Sequence, residues 1–406
     1  EWLGRGVILQ ENYKEIPMDK VRDIRTFIKR MEYLGKKEGE GKKEAENTDF
    51  YHNLDRVTDT IYQNKNRVER GTFERIEENT LKSAHYSHMK VESIVEAMDG
   101  YDEMGTIWRN IIQPLADAEG KRFTMMADYR RQFKQILDKN LPGGLDRLAD
   151  QEYTLIDQSG GEHSIDGEKM ISMALNWGNE GNRDRLARSF EGQGITHRDI
   201  EQFLNENMEK GHWDFVVDVW GLIDSYWPQI ADLYKDWTGA VPEKILPAPI
   251  QTKFGIISGG YYPIVYDPES TRYAKVQEEK EAAAEIMGPQ FVTAATRNGH
   301  TKARNGFAGG KLLLDLDVID KHISNVIQDL SYGRAIAQVN RLISNDQFQN
   351  AVKETWGSAA NKQFKSWLVG VARPDPPLAN YGEKILRRFR LGTTIANMGF
   401  KVTTAM

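Results

Sequence analysis

At 406 residues and 46.4 kDa the chain is long enough for two or three domains and at least one sizeable core. Hydrophobic residues at 39%, with 9 Trp, 16 Tyr and 15 Phe, exclude a chain that is disordered throughout. The absence of cysteine excludes a disulfide scaffold, thiolate zinc, Cys-ligated iron–sulfur clusters and cysteine nucleophiles. The formal charge of −6 conceals an asymmetry: residues 297–406 carry sixteen Lys and Arg against eight Asp and Glu, a balance of +8, which leaves −14 on residues 1–296. A basic C-terminal part suits phosphate, as DNA backbone or lipid headgroup. Packing against the acidic part of its own chain or of a neighbour is the plainer expectation. No run approaches 18 apolar residues, and Glu1-Trp2-Leu3 has neither the basic nor the apolar region of a signal peptide. Starting on Glu rather than Met suggests a piece of a longer polypeptide.

In chain order, Val21, Ile24, Phe27, Ile28, Met31 and Leu34 recur by three and four and predict an amphipathic helix over 20–34. Residues 35–48, with four Lys and four Glu, read as a solvated linker. Apolar periodicity from Leu54 to Met98, interrupted only by Gly71, predicts one very long helix or two in line, and hence an extended shape. A helix over about 103–140 follows the Asp99-Gly100 turn and returns antiparallel until LPGG at 141–144 stops it. Residues 165–237 read as a bundle of short helices. Trp213, Trp220 and Trp227, seven apart and sharing a face with Val216, Val217, Ile223 and Ile230, have the pattern of a buried core stripe. Pro228 kinks this helix or begins the next. FGIISGGYYPIVYD, set among prolines, is the one extended segment, with a small hairpin across Gly259-Gly260. Helices over 278–287 and 317–343 complete the chain's readable pattern.

The expected fold is therefore mainly α. It is an extended multi-helix assembly with long N-terminal helices, a compact helical bundle and a small β or extended segment near 250–270. The segments are an N-terminal arm and charged linker (1–50), a long helical hairpin (51–150), a helical bundle (151–245), a Pro/Gly-rich segment with a helix (246–300) and a basic helical region (301–406).

Motifs with chemistry are few. GFAGGKL fails the phosphate-loop pattern, because Asn305 stands at the first glycine position and Leu312 replaces the hydroxyl residue, so Gly309-Gly310-Lys311 reads as a turn. His85, His88 and Glu92 share a helix side but lack the metalloprotease spacing, and solvated residues are the expectation. No G-x-S-x-G elbow or distinctive carboxylate pair is present, so no catalytic, cofactor or metal residue is assigned. ALNWGNEGNRDRL (174–186) is more distinctive. Gly178 and Gly181 suit an interhelical turn, and Asn179 or Asn182 can cap a helix beginning near Arg183. The alternative is an anion gripped by the backbone amides with Arg183 and Arg185. Arg387, Arg388 and Arg390 precede sixteen residues with Lys401 as the only charge, a junction that suits anionic lipid or a subunit contact, or else begins a buried helix.

The successive phrases ALNWGNEGNRDRL, GGYYPIVYDPE, TRNGHTKAR, IDKHISNVIQDLSYGRAIAQVNRLI and RRFRLGTTIANMGF resemble a set found in internal virion, or ejection, proteins of short-tailed bacteriophages and in related polyvalent proteins of mobile elements. The resemblance spans roughly 165–406. It implies a structural segment of a long polypeptide that leaves the virion interior and oligomerises as part of a conduit for DNA across the host envelope. Its implied partners are further copies of itself, other ejection proteins, phage DNA and the host membrane surface. It assigns no catalytic residue and no cofactor. A peptidoglycan-cleaving enzyme acting during penetration, and a DNA-binding module of a mobile-element protein, are the alternatives.

Overall fold

The structure, a computed structural model, describes residues 48–64, 84–102, 104–238, 241, 244–267 and 311–372. The helices expected over 20–34 and 278–287, and nearly all of the linker over 35–48, lie outside these residues. Of the described residues 71% are helical, and strand is confined to two antiparallel hairpins, so the fold is mainly α.

Residues 48–63 form α1 and Ala84–Met98 form α2. The Asn64 side-chain amide, at the end of α1, donates to the Met98 carbonyl at 3.0 Å. In one continuous rod those residues would stand about 50 Å apart. The two helices are therefore not in line: their C-terminal ends meet, and Leu54, Val57 and Ile61 share a core with Val91, Ile94 and Met98. The apolar periodicity expected of a long rod is instead the signature of two faces that bury each other.

The helix expected over 103–140 is divided into α3 (Thr106–Ile111) and α4 (Gln113–Asn140). Pro114 lacks the amide that would continue the ladder, and it sits in the first turn of α4, where that amide is not needed. α3 is tied to the end of α2 by Asp99, whose carboxylate accepts the amides of Ile107 at 2.8 Å and Trp108 at 2.7 Å. Burial raises the Asp99 pKa above the ordinary carboxylate value, against the opposing pull of those two amides.

After the short α5 (Gly144–Ala149) comes a hairpin that the expected confinement of β structure to 250–270 did not include. β1 (Glu152–Ile156) pairs with β2 (Glu162–Asp166), Glu152 opposite Asp166 and Ile156 opposite Glu162. The bundle follows as α6 (Gly167–Asn176), α7 (Glu180–Ser189), α8 (His197–Asn207), α9 (Lys210–Asp224) and α10 (Trp227–Thr238). Trp213 and Trp220 are buried as expected, but Trp227 is only half-buried and Val217 is exposed. α9 ends at Asp224 and α10 starts at Trp227 with Pro228 in its first turn, so the seven-residue register is not carried past the break. The Lys244 ammonium lies 5.7 Å from the Trp227 ring centre.

The second hairpin, β3 (Ile250–Thr252) with β4 (Gly255–Ile257), turns at Lys253-Phe254 and not at Gly259-Gly260. Gly255 at φ 117° makes that turn, and the Thr252 hydroxyl donates to its carbonyl at 2.7 Å. Beyond it, Val265 and Asp267 pair with Leu313 and Lys311 through bonds of 2.8 and 2.9 Å. α11 occupies Asp317–Ile343, the range expected from its periodicity, and α12 (Asp346–Ala372) is broken at Gly357, where φ is 87°.

Two cores result. One gathers Tyr129, Phe133 and Leu137 of α4 with Met170, Leu186, Phe203, Phe215 and Trp220 of the bundle and Val318–Leu330 of α11. It draws side chains from four of the expected segments. The other gathers α1, α2 and α3 with Leu115 and Ala118 of α4, Tyr332–Ile343 of α11 and Phe348, Phe364 and Trp367 of α12. α4 and α11 run antiparallel and contribute to both. Near their middle the Lys121 ammonium donates to the Leu330 carbonyl at 2.9 Å.

Candidate functional site

The most polar of the tightly packed regions is the corner between α6 and α7, built from the phrase ALNWGNEGNRDRL. Asn179 has extended backbone angles and its side chain accepts the Asn182 amide at 2.9 Å, so it is the cap and α7 begins at Glu180, three residues before the expected start. Asn182 lies inside α7, where its side-chain amide donates to the Tyr262 carbonyl at 2.9 Å and to the Asn176 side-chain oxygen at 3.4 Å. Asn176 donates to the Ser172 carbonyl at 2.9 Å, and the Trp220 indole donates to the Leu175 carbonyl at 3.1 Å. The Ala248 amide donates to the Gly178 carbonyl at 2.9 Å. The strap over 248–262 is thereby stitched to the corner at both of its ends.

Three glycines permit this approach. A Cβ on Gly178 would lie 2.5 Å from the Gly260 carbonyl oxygen and 2.5 Å from the Trp220 ring. One on Gly259 would lie 2.0 Å from the Gly178 oxygen, and one on Gly260 would lie 2.3 Å from Trp220. From sequence, Gly178 is expected for its backbone freedom and Gly259-Gly260 for a hairpin turn. Here Gly178, Gly259 and Gly260 are wanted for the space a side chain would fill.

Arg183 reaches from α7 to three backbone carbonyls. Its Nε donates to the Trp177 carbonyl at 2.7 Å, and its Nη2 donates to the carbonyls of Ala248 at 3.2 Å and Pro249 at 2.9 Å, with the guanidinium 5.5 Å from the Trp177 ring centre. Desolvation lowers its pKa, an effect that Glu201 and Glu180 oppose. Arg185 donates to the Gly181 carbonyl at 3.0 Å, one turn back. At the start of α7 the Asn179 side chain takes the Asn182 amide and the Asn179 carbonyl takes that of Arg183. Both guanidinium groups thus donate to carbonyls of the fold, Arg183 across the corner and Arg185 within α7. Sequence reasoning missed the distant partners of this corner, Ala248 and Pro249 for Arg183, Gly260 for Asn179 and Tyr262 for Asn182, which lie 65 to 81 residues away.

Tyr262 is fully buried, its hydroxyl 3.5 Å from the Asp315 carbonyl. Desolvation first, then the charges of Asp315, Glu168 and Asp317, raise its pKa far above the ordinary tyrosine value, so it is a neutral donor. At the β1–β2 turn, Asp157 accepts the Ser159 hydroxyl at 2.6 Å, the amides of Ser159 and Gly161 at 2.8 and 2.9 Å, and pairs with His163 at 2.9 Å. These bonds, the Ser159 hydroxyl foremost, hold its carboxyl well below the usual carboxylate range. Ser159 and His163 both address the aspartate and not each other, so this trio orders a turn and does not assemble a nucleophile with its base.

Arg387, Arg388 and Arg390 lie outside the described residues, as do the side chains of His85 and His88 and most of GFAGGKL. Among the described residues no group of three or more His, Asp or Glu is placed to hold a metal ion, and no helix is long and apolar enough to cross a membrane. Seven of the eight units of basic excess in 297–406 fall outside the described residues, since 311–372 holds seven Lys and Arg against six Asp and Glu. No family model, no curated protein and no solved structure matches the chain.

Proposed function

We propose that the chain is a structural, self-associating segment of a bacteriophage ejection protein, contributing to a conduit that delivers the genome across the host envelope. The observation that supports this reading is spatial. Three of the phrases that carry the family resemblance, ALNWGNEGNRDRL, GGYYPIVYDPE and IDKHISNVIQDL, are distant in sequence and pack against one another: Asn182 holds the Tyr262 carbonyl, and the Tyr261 ring lies 5.7 Å from His322. Residues that resemble a family set and meet in one packed unit are what a shared scaffold requires.

In this proposal the protein resides in the virion interior and then in the host envelope, beside further copies, other ejection proteins and DNA, with the basic C-terminal region facing phosphate or a neighbour. Three-dimensional reconstruction of the purified chain by electron microscopy tests it, combined with zymography on peptidoglycan. The expected result is a closed homo-oligomer around an axis. A monomer at micromolar concentration that gives a lysis band abolished by a single Glu→Gln change would replace this reading with that of a peptidoglycan-cleaving enzyme.

A further inference from the structure

α12 doubles back on itself. The rings of Phe348 and Phe364 meet edge to face with centres 5.4 Å apart. On an uninterrupted helix the two residues would be separated by about 24 Å along the axis. Gly357 makes the reversal: its backbone stands at φ 87° and ψ 166°, and helix runs up to it and away from it. The place that a Cβ would take at this position is empty, so it is the backbone angle and not space that calls for glycine.

The two halves are held differently. Before the break, the Gln347 side chain donates to the Asp55 carboxylate at 2.9 Å and to the Thr58 hydroxyl at 3.0 Å, and the Tyr62 hydroxyl donates to Glu354 at 3.0 Å. These bonds fasten 346–356 to α1, beside the buried Phe348, Ala351 and Val352. After the break, Ala360, Phe364, Trp367 and Leu368 recur by three and four and enter the same core. If helix continued through Gly357, the second stripe would be turned roughly 150° about the axis from the first. A straight α12, still seated by its first half, would carry Phe364 and Trp367 out of their own core and present them on nearly the opposite side.

We propose that residues 358–372 are an exchangeable arm: Gly357 passes into helix, α12 straightens, and the arm takes the place of its counterpart in a second copy of the chain. The occupant follows from shape. The surface that fits Ala360, Phe364, Trp367 and Leu368 is the one the arm already covers, and every copy has it. Exchange keeps the Phe348–Phe364 contact, now made between copies. The closed and exchanged forms then differ chiefly at one hinge, so the backbone angle of Gly357 and the protein concentration set the balance between them. A connection of one residue that must reverse the chain is the kind of short, strained hinge that favours exchange. The inference rests on the self-association proposed above and gives it a route.

Sedimentation velocity of the full chain over a range of concentrations, with two hinge variants, tests the proposal. Gly357→Ala disfavours the reversed backbone and favours helix, and should raise the dimer association constant about tenfold or more. Two glycines inserted after Gly357 let the chain reverse without the special angle, and should lower it. Chains carrying one cysteine each, Phe348→Cys or Phe364→Cys, are then unfolded together, refolded and treated with a short bismaleimide. The protein has no cysteine of its own, so a link from 348 to 364 forms only between copies, and it is expected in the dimer. Dimers that lack this link and ignore both hinge variants would overturn the exchange and leave self-association standing. A chain that stays monomeric in all three forms would overturn both.

Discussion

The Asn182 side-chain amide donates to the Tyr262 carbonyl 2.9 Å away, across eighty residues of chain. Its own backbone amide is meanwhile held by Asn179. One asparagine therefore joins the start of α7 to the far end of the strap over 248–262, and the first expected consequence concerns its loss. Asn182→Ala leaves the Tyr262 carbonyl without this donor and should lower stability by about 1–3 kcal/mol in urea unfolding. A variant that unfolds at the wild-type midpoint would show that the strap is secured elsewhere.

The glycines of the same corner separate two reasons for having glycine. Gly178→Ala and Gly260→Ala push a methyl into backbone and into Trp220, and each should destabilise by several kcal/mol or prevent folding. Gly221→Ala, in α9 with open space where its Cβ would lie, should stabilise by about 1 kcal/mol. Thermal unfolding of the three variants checks both signs at once.

Asp157 and Asp320 should respond to acid in opposite directions. The Asp157 carboxyl is held below its ordinary value, so the stability it contributes is present above about pH 4 and is lost as pH falls further. Asp157→Asn should therefore be less stable than wild type at neutral pH, with the gap closing below pH 4. Chemical denaturation at several pH values would expose a constant gap, which contradicts this assignment.

Asp320 sits on α11 against Tyr129, and burial raises its pKa, partly offset by Arg130 and the Tyr129 hydroxyl. A raised carboxyl favours the fold at low pH, and that contribution is lost as pH rises through the folded-state value. Asp320→Asn keeps an acceptor for Tyr129 without a charge. It is expected to match or exceed wild-type stability at pH 7 and to lose that advantage near pH 4. A marked loss at pH 7 would mean that the charge itself is needed by Arg130.

Helical content was legible because amphipathic spacing is local: α11 needs only its own Val318, Ile319, Ile323, Val326, Ile327 and Leu330 to announce itself. The β1–β2 hairpin was not, since Leu155 and Ile165 are its only fully buried apolar side chains and the exposed remainder is polar apart from Ile156. Gly160-Gly161 was the available signal, and Asp157, which organises the turn, is recognisable only once its bonds to Ser159 and Gly161 are seen. The rod expected over 54–98 failed for a related reason, because periodicity reports that a face is buried but not against what. At the α6–α7 corner the turn was readable, yet the uses of Arg183 depend on carbonyls 65 and 66 residues away, which no local pattern encodes.

The antiparallel pair of α4 and α11 has a consequence for how the chain can be divided. Because Leu115 and Tyr129 lie on one helix but in different cores, and Leu330 and Tyr332 do the same on the other, the line between the cores crosses both helices at mid-length. No cut of the polypeptide between residues 113 and 343 separates one intact core from the other. A fragment ending in the bundle would carry half a seam at each core, exposing apolar helix faces that are covered in the whole. Removal of α11 should therefore yield insoluble protein, even though the bundle over 167–238 is continuous in sequence.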